Sequence, residues 1–199
     1  MLRLLLASLC LTLGAAETKP TSGFVLRSPA FAAGGALPRE FTGDGDGVSP
    51  PLEWSGVPAG TKCLALVMHH FPHEGEAAKW YWVVYNIPAD VRSLAKGAKG
   101  VGTSGGNCIN RSLGYAPPHS KGPGVKQYTL TLYALSAAPD LKVPPAQVNR
   151  EVLLAAIKDR TLASAELSFT YDRTDLVGKE GGKDAPGGDR PAPPPAPRR

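Results

Sequence analysis

Long apolar runs are scarce in this chain. The longest, Leu4-Leu5-Leu6-Ala7-Ser8-Leu9-Cys10-Leu11-Thr12-Leu13, is about ten residues against the roughly 20 that a membrane-spanning helix needs, so no transmembrane segment is expected. Cysteine is scarce too, with three in 199 residues. Only Cys63 and Cys108 lie outside that run, which leaves room for a single disulfide or for two buried free thiols. The formal charge of +5 is modest, and the basic residues are scattered instead of being interleaved with aromatics. That argues against a nucleic-acid interface. No internal repeat is visible, and no catalytic motif is assembled.

What is present at the start is Met1-Leu2-Arg3, then the short apolar run, then Gly14-Ala15-Ala16. A charged start, a short apolar stretch and small residues at the cleavage positions make a secretory signal peptide. The expected cleavage follows Ala16, which places the mature protein in the periplasm or outside the cell. Cys10 raises lipid anchoring, but Leu9 is too large for the position before a lipidated cysteine. From residue 174 onward the chain is Gly- and Pro-rich with scattered charge, ending in Pro191-Ala192-Pro193-Pro194-Pro195-Ala196-Pro197-Arg198-Arg199. Such a segment cannot fill a core, and a solvated, disordered basic tail is expected over 174–199. The organisation is therefore a signal peptide over 1–16, one domain over 17–173 and the tail.

Within that domain, residues 63–68 and 80–87 are continuous apolar runs, as for strands covered on both faces. Residues 126–133 and 163–172 alternate with period two, one face in and one face out. One helix is expected from an N-cap at Asn149 to about Arg160, with Val152, Leu153, Ala156 and Ile157 on one stripe. Several strands and one late helix predict a mainly β, antiparallel two-sheet sandwich with the helix packed at its edge. The connection over 96–125 is near 30 residues, long for a compact domain. It is expected to be ordered and to form a pocket.

Seven short motifs occur in order: Ser28-Pro29-Ala30-Phe31, Phe41-Thr42-Gly43-Asp44-Gly45, Val48-Ser49-Pro50-Pro51-Leu52-Glu53-Trp54, Pro58-Ala59-Gly60-Thr61-Lys62, Trp82-Val83-Val84-Tyr85-Asn86-Ile87-Pro88-Ala89, Gly114-Tyr115-Ala116-Pro117-Pro118 and the stretch from Tyr128 to Leu135. Together they resemble the bacterial, Raf-kinase-inhibitor-like branch of the phosphatidylethanolamine-binding proteins, over roughly residues 24–173. The resemblance implies a sandwich of two antiparallel sheets with a small pocket at one end for phosphate, acetate or a phosphoryl headgroup. It implies a binder or modulator of a partner protein, with no enzyme activity and no cofactor. The family's Asp-Pro-Asp-x-Pro run is replaced by His69-His70-Phe71-Pro72-His73, its His opening the second central strand by Tyr81, and its His-Arg-Tyr by Lys126-Gln127-Tyr128. The implied pocket consists of Asp44, His70, Tyr81, Pro117, Pro118, His119 and Tyr128.

All four histidines, His69, His70, His73 and His119, fall in the loops that this scaffold brings to the pocket mouth. They fit three readings: anion binding, a zinc- or copper-binding protein or metal-dependent hydrolase, or ordinary loop histidines. Adjacent residues on a strand point to opposite faces, so only one of His69 and His70 can reach the pocket. If histidines hold an anion, binding should tighten from roughly pH 7.5 to 5.5 as groups of pKa about 6.5 gain protons. Gly100-Val101-Gly102-Thr103-Ser104-Gly105 matches a dinucleotide fingerprint, and Gly102-Thr103-Ser104-Gly105-Gly106 matches a hydrolase nucleophile elbow. Neither has the strand before it and the helix after it that the chemistry requires. Asp44-Gly45-Asp46-Gly47 lacks the further ligands of a calcium loop.

Overall fold

The computed structural model describes residues 23–173 apart from 121 and 123, so the expected signal peptide and tail lie outside the described residues. Eight strands and one α-helix come in the order β1 (Val25–Arg27), β2 (Leu52–Ser55), β3 (Cys63–His70), β4 (Lys79–Pro88), β5 (Ser93–Leu94), β6 (Thr103–Ser104), β7 (Lys126–Leu135), α1 (Arg150–Ile157) and β8 (Thr161–Tyr171), with single 3-10 turns at Arg39–Phe41 and Pro145–Gln147. They form a three-stranded sheet β1-β2-β5 and a five-stranded sheet β6-β4-β3-β7-β8. Every strand pair is antiparallel.

The larger sheet is covered on both sides, which is why its central strands read as unbroken apolar runs. Leu64, Leu66 and Met68 of β3 face Leu26, Leu52 and Trp54 of the small sheet in one buried cluster. Ala65 and Val67, one residue out of phase, turn the other way into a second cluster with Val148, Leu153 and Ile157. Strand β7 alternates as expected, with Tyr128, Leu130, Leu132 and Ala134 in the inner cluster. So does β8, through Ala165, Leu167, Phe169 and Tyr171.

Helix α1 begins where Asn149 accepts the N–H of Val152 at 2.8 Å, an N-cap that satisfies one orphan donor. It ends at Ile157, with residues 158–160 forming a turn before β8. Leu153 and Ile157 are its buried residues, so the apolar stripe is narrower than the sequence suggests. The thiols are free. Cys63 pairs with Pro88 at one end of β4, whereas the N–H of Cys108 donates to Trp80 at the other end. Eight strand residues, roughly 26 Å, separate these points, which rules out a bridge.

A bulge in β4 sets the direction of Tyr81. Met68 pairs with Trp82 and His69 with Trp80, so Tyr81 is an extra residue with no partner across the ladder. Without it Tyr81 would face away from its neighbour Trp82; with it both enter the inner cluster. A bulge re-aims side chains in this way.

Candidate functional site

Because β3 ends where β4 and β7 begin, the ends of three adjacent strands meet at one end of the larger sheet. A cavity of about 370 Å³ opens there. His70 closes β3 and supplies one wall, with Pro72 and His73 from the next connection. Lys79 and Tyr81 come from β4, and Lys126 and Tyr128 from β7. The connection between β6 and β7 completes the wall with Ile109, His119, Ser120 and Gly122. That long connection is ordered around β6 and a bridge between Gly106 and Leu113, and it contributes to the cavity as its composition suggested.

Tyr128 is the buried floor, 1% exposed. Its ring stacks on His70 at 4.9 Å between centroids and on Phe169 at 5.5 Å, while Tyr81 meets it edge-on at 5.1 Å. The two phenols lie against each other in the cavity wall. Burial pushes both hydroxyls above the usual phenol value, so both remain protonated and serve as neutral donors.

His70 Nδ1 lies 2.7 Å from the carbonyl of Gln127. A carbonyl only accepts, so Nδ1 carries the proton and Nε2 of the neutral ring is an acceptor. Burial, then the nearby Lys79, Lys126 and His73, hold the His70 pKa below its ordinary value, against the opposing pull of the Gln127 carbonyl. At neutral pH Lys79, Lys126 and Tyr81 are donors on this wall, and the His70 ring offers it only an acceptor. The expected pH window for this residue moves to the acid side.

Asp44 does not line the cavity; it stands behind His119. Its carboxylate Oδ1 is 3.2 Å from His119 Nε2, its Oδ2 accepts from the Tyr171 hydroxyl, and Arg173 grips it through Nε at 2.9 and 3.0 Å and through a terminal nitrogen at 2.8 Å. Burial alone would raise the Asp44 pKa. The Tyr171 hydrogen bond and the Arg173 guanidinium outweigh it, and the carboxyl sits below its ordinary value. Pro117 and Pro118 likewise support the wall without lining it. The Pro118 carbonyl accepts the N–H of Gly43 at 2.8 Å, and a Cβ at position 43 would come within 2.6 Å of His119 Cβ. Glycine there lets the Asp44 turn lie directly against the His119 loop.

The four histidines do not all converge: His70, His73 and His119 line the cavity and His69 does not. His69 points away from His70, toward α1, where its ring meets Phe71 edge-on at 5.2 Å. Burial first, then the charge of Arg150 and of His70, lower its pKa to about 4. Among the described residues no group of three or more His, Cys, Asp or Glu side chains is placed to hold a metal ion, which removes the support for a metal site built on the four histidines. Trp80 also turns outward, its indole N–H donating to the Gly106 carbonyl at 3.0 Å.

Sequence reasoning missed Lys79, Lys126 and Arg173. Lys126 stands where the resembling family has a histidine, and that change of residue was the available signal. Arg173 had none, since it follows the last strand and looks like the start of the tail.

A family model described as phosphatidylethanolamine-binding protein matches residues 27–172. A UPF0098 protein of Chlamydia muridarum is 36% identical over 154 residues, spanning 74% of this chain and 98% of its own length. LppC of Mycobacterium tuberculosis, named as a candidate lipoprotein, is 32% identical over 151 residues, spanning 74% of this chain and 71% of its own. Among solved structures, CT736 of Chlamydia trachomatis, described as a candidate homologue of phosphatidylethanolamine-binding protein, superposes with a TM-score of 0.69 at 31% identity. That match covers 76% of this chain and 99% of the other.

Proposed function

This chain belongs to the phosphatidylethanolamine-binding protein family, and from that premise we propose that it is an exported binding protein, not an enzyme, that holds a small anion or a phosphoryl headgroup in the cavity at the end of the sandwich. The charge of the wall carries this reading. Among the described residues Lys79, Lys126 and three histidines line the cavity and no carboxylate does, while Asp44, behind His119, is paired with Arg173. An anion entering a partly dry site of that sign gains more than it would in water. Tyr81 supplies a neutral hydroxyl donor. No nucleophile paired with a base is recognised in the wall, and binding needs none. Occupancy of the cavity is a signal that a partner protein could read.

The test is a calorimetric titration of glycerophosphorylethanolamine, whose diester keeps one negative charge across the working range. Wild type should bind, and Lys126→Ala, His119→Ala and Tyr81→Phe should each weaken binding by about 3- to 30-fold, as loss of a charged or neutral hydrogen bond does. The pH dependence follows from His70. A bound anion favours the protonated ring, and the ring of the free protein is held below its ordinary value of about 6.5. Affinity should therefore climb as pH falls below that value, and His70→Ala should flatten the climb. Binding indifferent to pH and to every substitution would place the ligand elsewhere.

A further inference from the structure

A second cavity, also of about 370 Å³, opens between the connection that follows β6 and the 3-10 turn that precedes α1. Trp80, Cys108, Arg111, Ala146, Gln147 and Asn149 line it, and it shares no lining residue with the cavity at the strand ends. Its base is a close backbone approach. The N–H of Gly106 donates to the Val148 carbonyl at 3.1 Å, and a Cβ at position 106 would come within 2.4 Å of the Ala146 carbonyl oxygen. Glycine is what lets the two connections meet there.

Trp80 is clamped into this wall. Its carbonyl accepts from the N–H of Cys108 at 3.0 Å, its own N–H donates to the Cys108 sulfur at 3.2 Å, and its indole N–H donates to the Gly106 carbonyl. With that N–H engaged, the ring offers the cavity apolar surface. Arg111 has the opposite character. It is exposed, and among the described residues no hydrogen bond or ion pair engages its guanidinium. Its backbone sits in the left-handed region at φ 60°, where glycine is favoured and a long side chain is uncommon. The buried Asn107 imposes that turn: it accepts the N–H groups of Ile109 and Asn110 at 3.0 Å each and donates to the Ser112 carbonyl at 2.9 Å. A free cation is thus held over the cavity at a position that glycine would occupy with less strain.

The other polar groups of the wall add donors. Asn149 uses its Oδ1 to cap α1 and keeps its amide N–H groups, and the Gln147 amide is exposed. Among the described residues no carboxylate lines the cavity. Glu151, in the first turn of α1, stands outside the lining and is paired with Arg150 at 3.2 Å.

We propose that this cavity is a second ligand site, for a small carboxylate with an aromatic or apolar body. The carboxylate pairs with the Arg111 guanidinium and accepts from the Gln147 and Asn149 amides, while the body packs on Trp80 and Ala146. A planar guanidinium fork matches the two oxygens of a carboxylate. An apolar wall with a few placed donors, at a volume inside the usual range of about 300–1,000 Å³, is how small-molecule sites are built. The two cavities are independent: neither needs the other's ligand.

The experiment is an NMR titration of the full chain, read at the tryptophan indole N–H signals, with N-acetylphenylalanine and with its primary amide, which lacks the carboxylate. The Trp80 signal should move saturably with the acid, and the amide should bind about tenfold or more weakly. Arg111→Gly and Arg111→Gln should each weaken binding of the acid about tenfold or more, and Gln147→Ala about threefold. Arg111→Gly should also raise the melting temperature by about 2 °C, because glycine relieves the left-handed backbone, so its lost binding is not a lost fold. A Trp80 signal that the acid leaves unmoved, an amide that binds as well as the acid, or acid binding that survives both Arg111 substitutions would each overturn the proposal. So would acid binding lost in Lys126→Ala and kept in Arg111→Gln, which would put the carboxylate in the cavity at the strand ends.

Discussion

His70, Tyr81, His119 and Tyr128 converge on one cavity from three strands and a loop; His70, Tyr81 and Tyr128 were legible as residues substituted into, or retained from, a recognisable motif, and His119 as a histidine of the long connection. Asp44 was legible as close to the site but not in its role. Only the structure shows that Tyr171 and Arg173 claim its carboxylate and leave it as a prop for His119. Contacts across 129 residues of sequence separation leave no local pattern to read. The Asp44 and Arg173 side chains are 7% and 8% exposed, so removing one partner strands a buried charge. Arg173→Met should cost about 3 kcal/mol in urea-induced unfolding. A cost below about 0.5 kcal/mol, the size of a solvated surface pair, would mean that the pair contributes little. Asp44, held below its ordinary pKa, adds stability that is complete above about pH 4 and is lost as pH falls through its folded value.

At the scale of elements, the four long strands were readable because eight or more residues of consistent apolar or alternating pattern outweigh any single exception. Strands β1, β2, β5 and β6 have two to four residues each. Such segments carry too few positions to show a period, and their partners define them. The bulge at Tyr81 was equally hidden, since no local feature of the run 80–87 marks the residue that the ladder skips. The helix start was legible from Asn149 and its end was not, because no glycine or proline marks a stop near Ile157. Asn149→Ala should lower stability by about 1 kcal/mol, seen as a lower melting temperature in a thermal scan. An unchanged melting temperature would show that tertiary packing of Leu153 and Ile157 holds the helix without its cap.

At the scale of the whole molecule, one sheet buried on both faces organises everything else: the small sheet seals its inner side, α1 its outer side, and the strand ends are left to build a cavity. Fold class followed from the sequence because several strands and one late helix permit few layered arrangements. The export proposed above rests on the order of charge, apolar run and small residues over 1–16. Mass analysis of secreted or periplasmic protein should find Glu17 at the N terminus; an intact Met1 on the mature soluble protein would contradict export with cleavage.

The central claim, that the cavity between β3, β4 and β7 is an anion site, is tested most directly by a crystal of the protein soaked with glycerophosphorylethanolamine. The phosphorus should lie in that cavity, with its oxygens within hydrogen-bond distance, roughly 2.7–3.2 Å, of Lys79 or Lys126 and of the Tyr81 hydroxyl. A well-ordered ligand bound at any other place on the molecule, or a cavity that stays empty at saturating ligand, would contradict the account.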